Sequence, residues 1–108
     1  MSTITVFGEV HLFRMPATDG SAGKMRPVLV LFDLEEDAIA CRITSVLRTG
    51  ALDVLLSEWM DEGLIQASVA RLDRVVTVEK ALLVKKLGQL TPVDLDALRS
   101  RWNTLMML

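Results

Sequence analysis

The chain has 108 residues, which fits one domain, 1–108, with a real core but no cleft between two domains. Its 51% apolar and 24% charged residues exclude disorder, and its net charge of −2 excludes a globally basic nucleic-acid binder. With one cysteine, Cys41, and one histidine, His11, an intrachain disulfide and a Cys/His zinc site within one chain are excluded as well.

The first residues, Met1-Ser2-Thr3-Ile4, lack the basic start and apolar stretch of a signal peptide. No apolar run approaches the about 18 residues of a membrane span. A soluble cytoplasmic protein with no membrane partner is expected. Residues 6–13 alternate weakly and predict a strand, with Val6, Gly8, Val10 and Leu12 on one face. Met15 to Met25 predicts a loop of about ten residues, a length that is often functional. Its centre, Pro16 to Lys24, concentrates turn formers. Pro27 then opens Val28-Leu29-Val30-Leu31-Phe32, apolar on both faces and so a central, covered strand. Residues 37–45 predict another strand, with Ile39, Cys41 and Ile43 on one face and Ala40, Arg42 and Thr44 on the other. Residues 52–56 suit a short strand. Ser57 to Gly63 reads as one or two helical turns, with Ser57 as N-cap and Gly63 as the stop. Residues 66–78 and 81–87 predict two more strands. Thr91 caps a C-terminal helix with Pro92 at its first position and Asp94 three after the cap. Leu95, Leu98, Trp102 and Leu105 form its apolar stripe. The whole is mainly β with a C-terminal α-helix and one short inserted helix, in a small, strongly bent barrel or sandwich.

The mean hydropathy is high, at +0.39, and implies a partner or a second copy over an apolar patch. Eight of the twelve basic residues are Arg, so a local phosphate site stays open. Arg71-Leu72-Asp73 is the most chemical spacing. Two residues apart in a strand, a guanidinium and a carboxylate share one face at about 6.5–7 Å between Cα atoms. On a phosphodiester the carboxylate takes a proton and the Arg stabilises phosphoryl charge. An ordinary surface pair is the competing reading. Arg26, held extended before Pro27 beside the loop, suits phosphate binding, or is simply solvated. Thr44-Ser45 offers hydroxyl donors, or caps a strand end. His11 is a base, or a half-buried, hydrogen-bonded residue. Cys41 reads as a core residue, and Trp59 and Trp102 as packing groups. The loop Asp19 to Lys24 lacks the order of a P-loop, and no metal cluster or nucleotide loop implies a cofactor.

In order, Gly8-Glu9-Val10, Thr18-Asp19-Gly20-Ser21, Arg26-Pro27-Val28-Leu29-Val30, Arg42-Ile43-Thr44-Ser45, Val69-Ala70-Arg71-Leu72-Asp73 and Lys80 to Leu90 resemble the MazF/PemK (Kid-like) family of type II toxin–antitoxin toxins. The resemblance spans nearly the whole chain and implies a small SH3-like barrel of the CcdB/PemK kind, forming a homodimer. It implies a metal-independent endoribonuclease that cuts single-stranded RNA at short motifs. The 2′-hydroxyl attacks the adjacent phosphate, leaving a 2′,3′-cyclic phosphate and a 5′-hydroxyl. A cognate antitoxin with an acidic C-terminal segment is the implied inhibitor. Carried over by position, Arg71 is the acid and phosphate stabiliser, Asp73 the base, and Arg26 and Thr44 bind the scissile phosphate. Thr18, Asp19, Gly20, Ser21, Lys24 and Ser45 are expected to bind RNA. An Arg has a pKa above about 12, so electrostatic stabilisation describes Arg71 better than acid catalysis.

The chain departs from that pattern. It has Gly20-Ser21-Ala22 where the Kid branch carries a loop His, and Arg14 where many members carry an Asp. These departures motivate an alternative, a non-catalytic module that binds RNA or antitoxin. A CcdB-like gyrase poison is a further alternative, but the chain ends Trp102-Asn103-Thr104-Leu105-Met106-Met107-Leu108, without that group's Trp-Gly-Ile ending.

Overall fold

A computed structural model describes residues 4–16 and 23–108. The strands are β1 (Glu9–Met15), β2 (Lys24–Asp33), β3 (Asp37–Thr44), β4 (Asp53–Leu55), β5 (Val69–Glu79) and β6 (Leu83–Gln89). Short 3₁₀ turns cover Trp59–Glu62 and Lys80–Leu82, and helix α1 (Pro92–Leu105) ends the fold. Each predicted element is present, with its ends moved by a few residues. Val6 and Phe7 fall in a turn before β1, and Val6 is exposed.

All strand pairs are antiparallel, in one sheet ordered β4-β5-β3-β2-β1-β6. The covered strand β2 lies between β1 and β3, as its two apolar faces require. Bulges bend the sheet. The largest is in β5: Cys41 faces Val75 while Arg42 faces Arg71, so Leu72, Asp73 and Arg74 have no partner on β3. Others interrupt β1–β6 and β2–β3.

The expected barrel is not closed. Strand β4 has three residues and does not pair with β6, because the chain turns away after Leu55 into the 3₁₀ turn. Side chains fill the seam instead. Gly63 ends that turn at φ 87, a left-handed conformation that favours glycine. A Cβ at Gly88 of β6 would meet the Glu62 carbonyl oxygen at 2.5 Å, so the turn packs backbone to backbone on the edge strand.

The sheet buries two apolar layers. Val10, Leu29, Cys41, Ile43 and Leu72 pack with Leu98 of α1. Phe13, Val28, Val30, Ala40 and Val78 form the second cluster. Helix α1 begins as predicted: the Thr91 hydroxyl accepts from the Asp94 N–H at 3.5 Å, with Pro92 at the start. Leu98 is buried, Leu95 and Trp102 are half-buried against the core, and Leu105 is exposed.

Two details differ from expectation. The residue before the 3₁₀ turn is Glu58, which makes no side-chain cap. Ser57 instead donates its hydroxyl (2.8 Å) and its N–H (3.1 Å) to Asp94, which also accepts from the Glu58 N–H at 2.9 Å. Asp94 thus lies on the buried face of α1 and ties it to the seam.

Candidate active site

Strand alternation sorts the polar side chains. Arg42 and Thr44 alternate with Cys41 and Ile43, and Arg71 lies between Ala70 and Leu72. These apolar neighbours belong to the core under α1, so the three polar residues face the other side of the sheet. There they line a groove of about 860 Å³, together with Arg26, Ser45 and Gln66.

Arg42 is directly opposite Arg71 across β3 and β5. Like charges in that position repel, unless anions balance them. Asp53 of β4 is directly opposite Arg71 on its other side, with Oδ1 3.9 Å from Arg71 Nε. Asp73, on the β5 bulge, has Oδ2 3.5 Å from Arg71 Nη2. The Arg71 side chain is 15% exposed and that of Asp73 is 44% exposed. Arg71 Nε is buried and has no hydrogen-bond partner among the described residues.

The structure brings Arg26, Thr44, Ser45 and Arg71 to one groove, with Asp73 at its rim beside Arg71. Arg26 is opposite Phe13 and exposed. The Thr44 Oγ1 accepts from the Val46 N–H at 3.1 Å, a strand-end turn that leaves its hydroxyl proton available. Lys24 is exposed opposite Met15, beside the groove but not in its lining. Thr18, Asp19, Gly20 and Ser21 lie outside the described residues.

His11 is buried and pairs with Glu9, Nε2 to Oε1 at 3.0 Å, apart from the groove. Burial acts to raise the Glu9 carboxyl, but His11 and Lys86 outweigh it and hold Glu9 below its usual range. Cys41 is fully buried and its thiol is pushed up to about 12 by that burial, which makes it unreactive. Trp59 and Trp102 are half-buried against the core.

Two residues were missed from sequence. Arg42 shares its predicted strand face with Thr44, so its signal was present. Asp53 had none, because its meeting with Arg71 depends on β4–β5 pairing. Among the described residues no cluster of His, Cys, Asp or Glu could hold a metal ion, and no helix is long and apolar enough to cross a membrane. A set of guanidiniums beside one accessible carboxylate can bind a phosphodiester and accept a proton next to it.

Comparison with known proteins agrees with this architecture. Residues 7–106 match the model of a family described as PemK-like, MazF-like toxin of type II toxin–antitoxin system. No curated protein sequence matches. Among solved structures, Mycobacterium tuberculosis toxin MazF-mt6 is similar at TM-score 0.74 and 25% identity, over 93% of this chain and 97% of that one. An endoribonuclease in complex with its cognate antitoxin, from a mycobacterial species, is similar at TM-score 0.78 and 20% identity, over 96% of each chain. MazF from Deinococcus radiodurans is similar at TM-score 0.73 and 18% identity, over 99% of this chain and all of that one, 100%. The match over 7–106 spans nearly the whole sequence, and the chain therefore belongs to the PemK-like, MazF-like toxins of type II toxin–antitoxin systems.

Proposed function

We propose that the chain is a metal-independent endoribonuclease toxin that cuts single-stranded RNA at short motifs and so arrests translation and growth. The observation that carries this reading is the pair of opposed guanidiniums, Arg42 and Arg71, with the Asp73 carboxylate 3.5 Å from Arg71. Two like charges side by side on adjacent strands suit a phosphodiester, whose oxygens bind both. Asp73 takes the proton of a ribose 2′-hydroxyl. That oxygen attacks the adjacent phosphorus, the bond to the 5′-oxygen breaks, and solvent protonates the leaving oxygen. The products are a 2′,3′-cyclic phosphate and a 5′-hydroxyl. Arg71 stabilises the charge that develops on the phosphoryl oxygens. Arg26 and Thr44 hold the phosphate, and Ser45 and Lys24 contact flanking RNA.

Val46 and Ile65 line the groove and are 65% and 92% exposed. Such apolar exposure beside a charged site supports a homodimer with the groove across it. The groove arginines also complement an acidic antitoxin segment. We place the toxin in the cytoplasm, where its RNA target is. Asp73 stands at the rim rather than in the lining, which favours one second reading: a non-catalytic module that binds RNA or antitoxin.

One experiment separates the two. The purified protein is incubated with a long single-stranded RNA in excess EDTA, and the ends are mapped. Discrete cuts with cyclic phosphate ends are expected, with none in Asp73→Ala. Arg71→Ala should cut about 10² to 10³-fold more slowly, the usual loss of one charge-stabilising donor. Binding should weaken as salt rises, since phosphate contacts carry it. RNA left intact but bound would establish the non-catalytic module.

A further inference from the structure

We propose that Asp53 is a positioning residue for Arg71, drawing on the guanidinium from the other side so that its 3.5 Å contact with Asp73 does not close into a tight pair. This deepens the ribonuclease reading and rests on it for its kinetic test. Asp53 is a fixed carboxylate. Its side chain is 5% exposed. Its Oδ2 accepts the Gly50 N–H at 2.7 Å and has Arg48 Nε at 3.6 Å. Its backbone carbonyl accepts Arg101 Nη1 of α1 at 3.1 Å. Arg71, by contrast, is bound only loosely, at 3.9 Å to Asp53 and 3.5 Å to Asp73.

Solvent screens the Asp53–Arg71 pair little, because both side chains are largely buried. The Asp73–Arg71 contact is screened more, since Asp73 is 44% exposed. Arg42 repels Arg71 from the side opposite Asp53. With Asp53 in place these forces hold Arg71 between two carboxylates and tied closely to neither. Arg71 then remains available to a phosphoryl oxygen, and the Asp73 carboxylate, in a single contact of 3.5 Å with Arg71, remains able to take a proton. Without the charge on Asp53, Arg71 settles on Asp73 and occupies the base.

The test is Asp53→Asn, which keeps an acceptor for the Gly50 N–H and removes only the charge. The kcat for RNA cleavage should fall about tenfold. KM should stay level or fall, because a negative charge has left the groove. Mere loss of folded protein cannot lower KM. In an Arg71→Lys background the same change should cost much less than tenfold, since Asp53 acts through Arg71.

An RNA-free readout runs beside it. The Arg71 Nε–H resonance in NMR should move further in Asp53→Asn than in Asp73→Asn, an exposed site where folding is safe. A resonance that ignores Asp53→Asn overturns the proposal, as does a full tenfold loss in the Arg71→Lys background. If the wild-type protein leaves RNA intact, the ribonuclease reading falls alone, and the resonance decides the role of Asp53.

Discussion

The groove and the seam between β4 and β6 use the same chemical groups in opposite ways. In the seam, Glu62 and Asp94 are 0% and 1% exposed. Asp94 takes three donors at 2.8 to 3.1 Å. Glu62 Oε2 accepts the Thr91 N–H at 2.9 Å, and the Thr91 hydroxyl donates a short bond to Glu58. In the groove, the ion pairs run from 3.5 to 3.9 Å, and Asp73 is open to water. Buried carboxylates with short hydrogen bonds hold a fold together; loosely paired ones beside unmatched arginines are available to a ligand. Burial and donor count separate the two roles where residue type does not.

The largest expected effect sharpens that contrast. Asp94→Ala removes the acceptor for both Ser57 donors and the Glu58 N–H. Leaving such buried donors unpaired should cost about 3 to 5 kcal/mol, read by urea unfolding. Asp73→Asn, at an exposed site, should move stability by less than about 0.5 kcal/mol while abolishing RNA cleavage. If Asp73→Asn destabilised the fold as much as Asp94→Ala, the division between seam and groove would collapse.

The next effect is in pH. Burial, and then the neighbouring Asp94, push the Glu62 carboxyl up to about 7 from 4.5. Its Oε1 accepts no bond among the described residues, and when protonated it donates to Asp94. Burial acts to raise Asp94, but that donor and the Glu58 and Ser57 N–H groups hold it below its usual range. A raised folded-state carboxyl binds its proton more tightly than the unfolded chain does. Its stabilisation is complete below pH 4.5 and is lost as pH rises through 7. Asp94 works the other way, losing stability as pH falls below 3.8 toward its lowered value. Unfolding free energy should therefore drop by about 2 kcal/mol from pH 5 to pH 8. Glu62→Gln, which mimics the protonated form, should flatten that slope. An unchanged slope in the variant would remove Glu62 as its source.

Much of this molecule is readable from sequence, for identifiable reasons. The Thr91 cap, Pro92 and the Leu95–Leu98–Trp102 stripe are local signals, and they place α1 within a residue or two. The alternation that buries Cys41 also turns Arg42 and Thr44 into the groove. The seam is not readable. Ser57 looks like an N-cap, since the short-range pattern fits, yet its hydroxyl donates to Asp94, 37 residues away. The missing barrel closure has the same origin: β4 is too short to reach β6, and only tertiary packing shows what fills the gap. Asp53 meets Arg71 through the pairing of β4 with β5 across the intervening 3₁₀ turn, so no spacing could announce it. Among the candidates, the Arg71–Asp73 contact follows from spacing, but the bulge that carries Asp73 to the rim does not.

The smallest expected effect tests the link between the two regions. Arg101 of α1 donates from Nη1 to the Ala51 carbonyl at 2.7 Å and to the Asp53 carbonyl at 3.1 Å. It therefore ties the helix whose first turn builds the seam to β4, the strand that carries Asp53. Arg101→Ala removes two charge-assisted bonds at a partly exposed site, so stability should fall by only about 1 kcal/mol. Its effect on cleavage should exceed what that loss implies. A destabilisation of this size leaves nearly all molecules folded, yet a loosened β4 lets the Asp53 carboxylate wander and releases Arg71. RNA cleavage should fall two- to fivefold with KM level, and Asp53→Asn should add little on top of Arg101→Ala. Cleavage that matches the wild type, with unfolding shifted as expected, would show that the seam supports the fold alone and that the groove keeps its geometry without it.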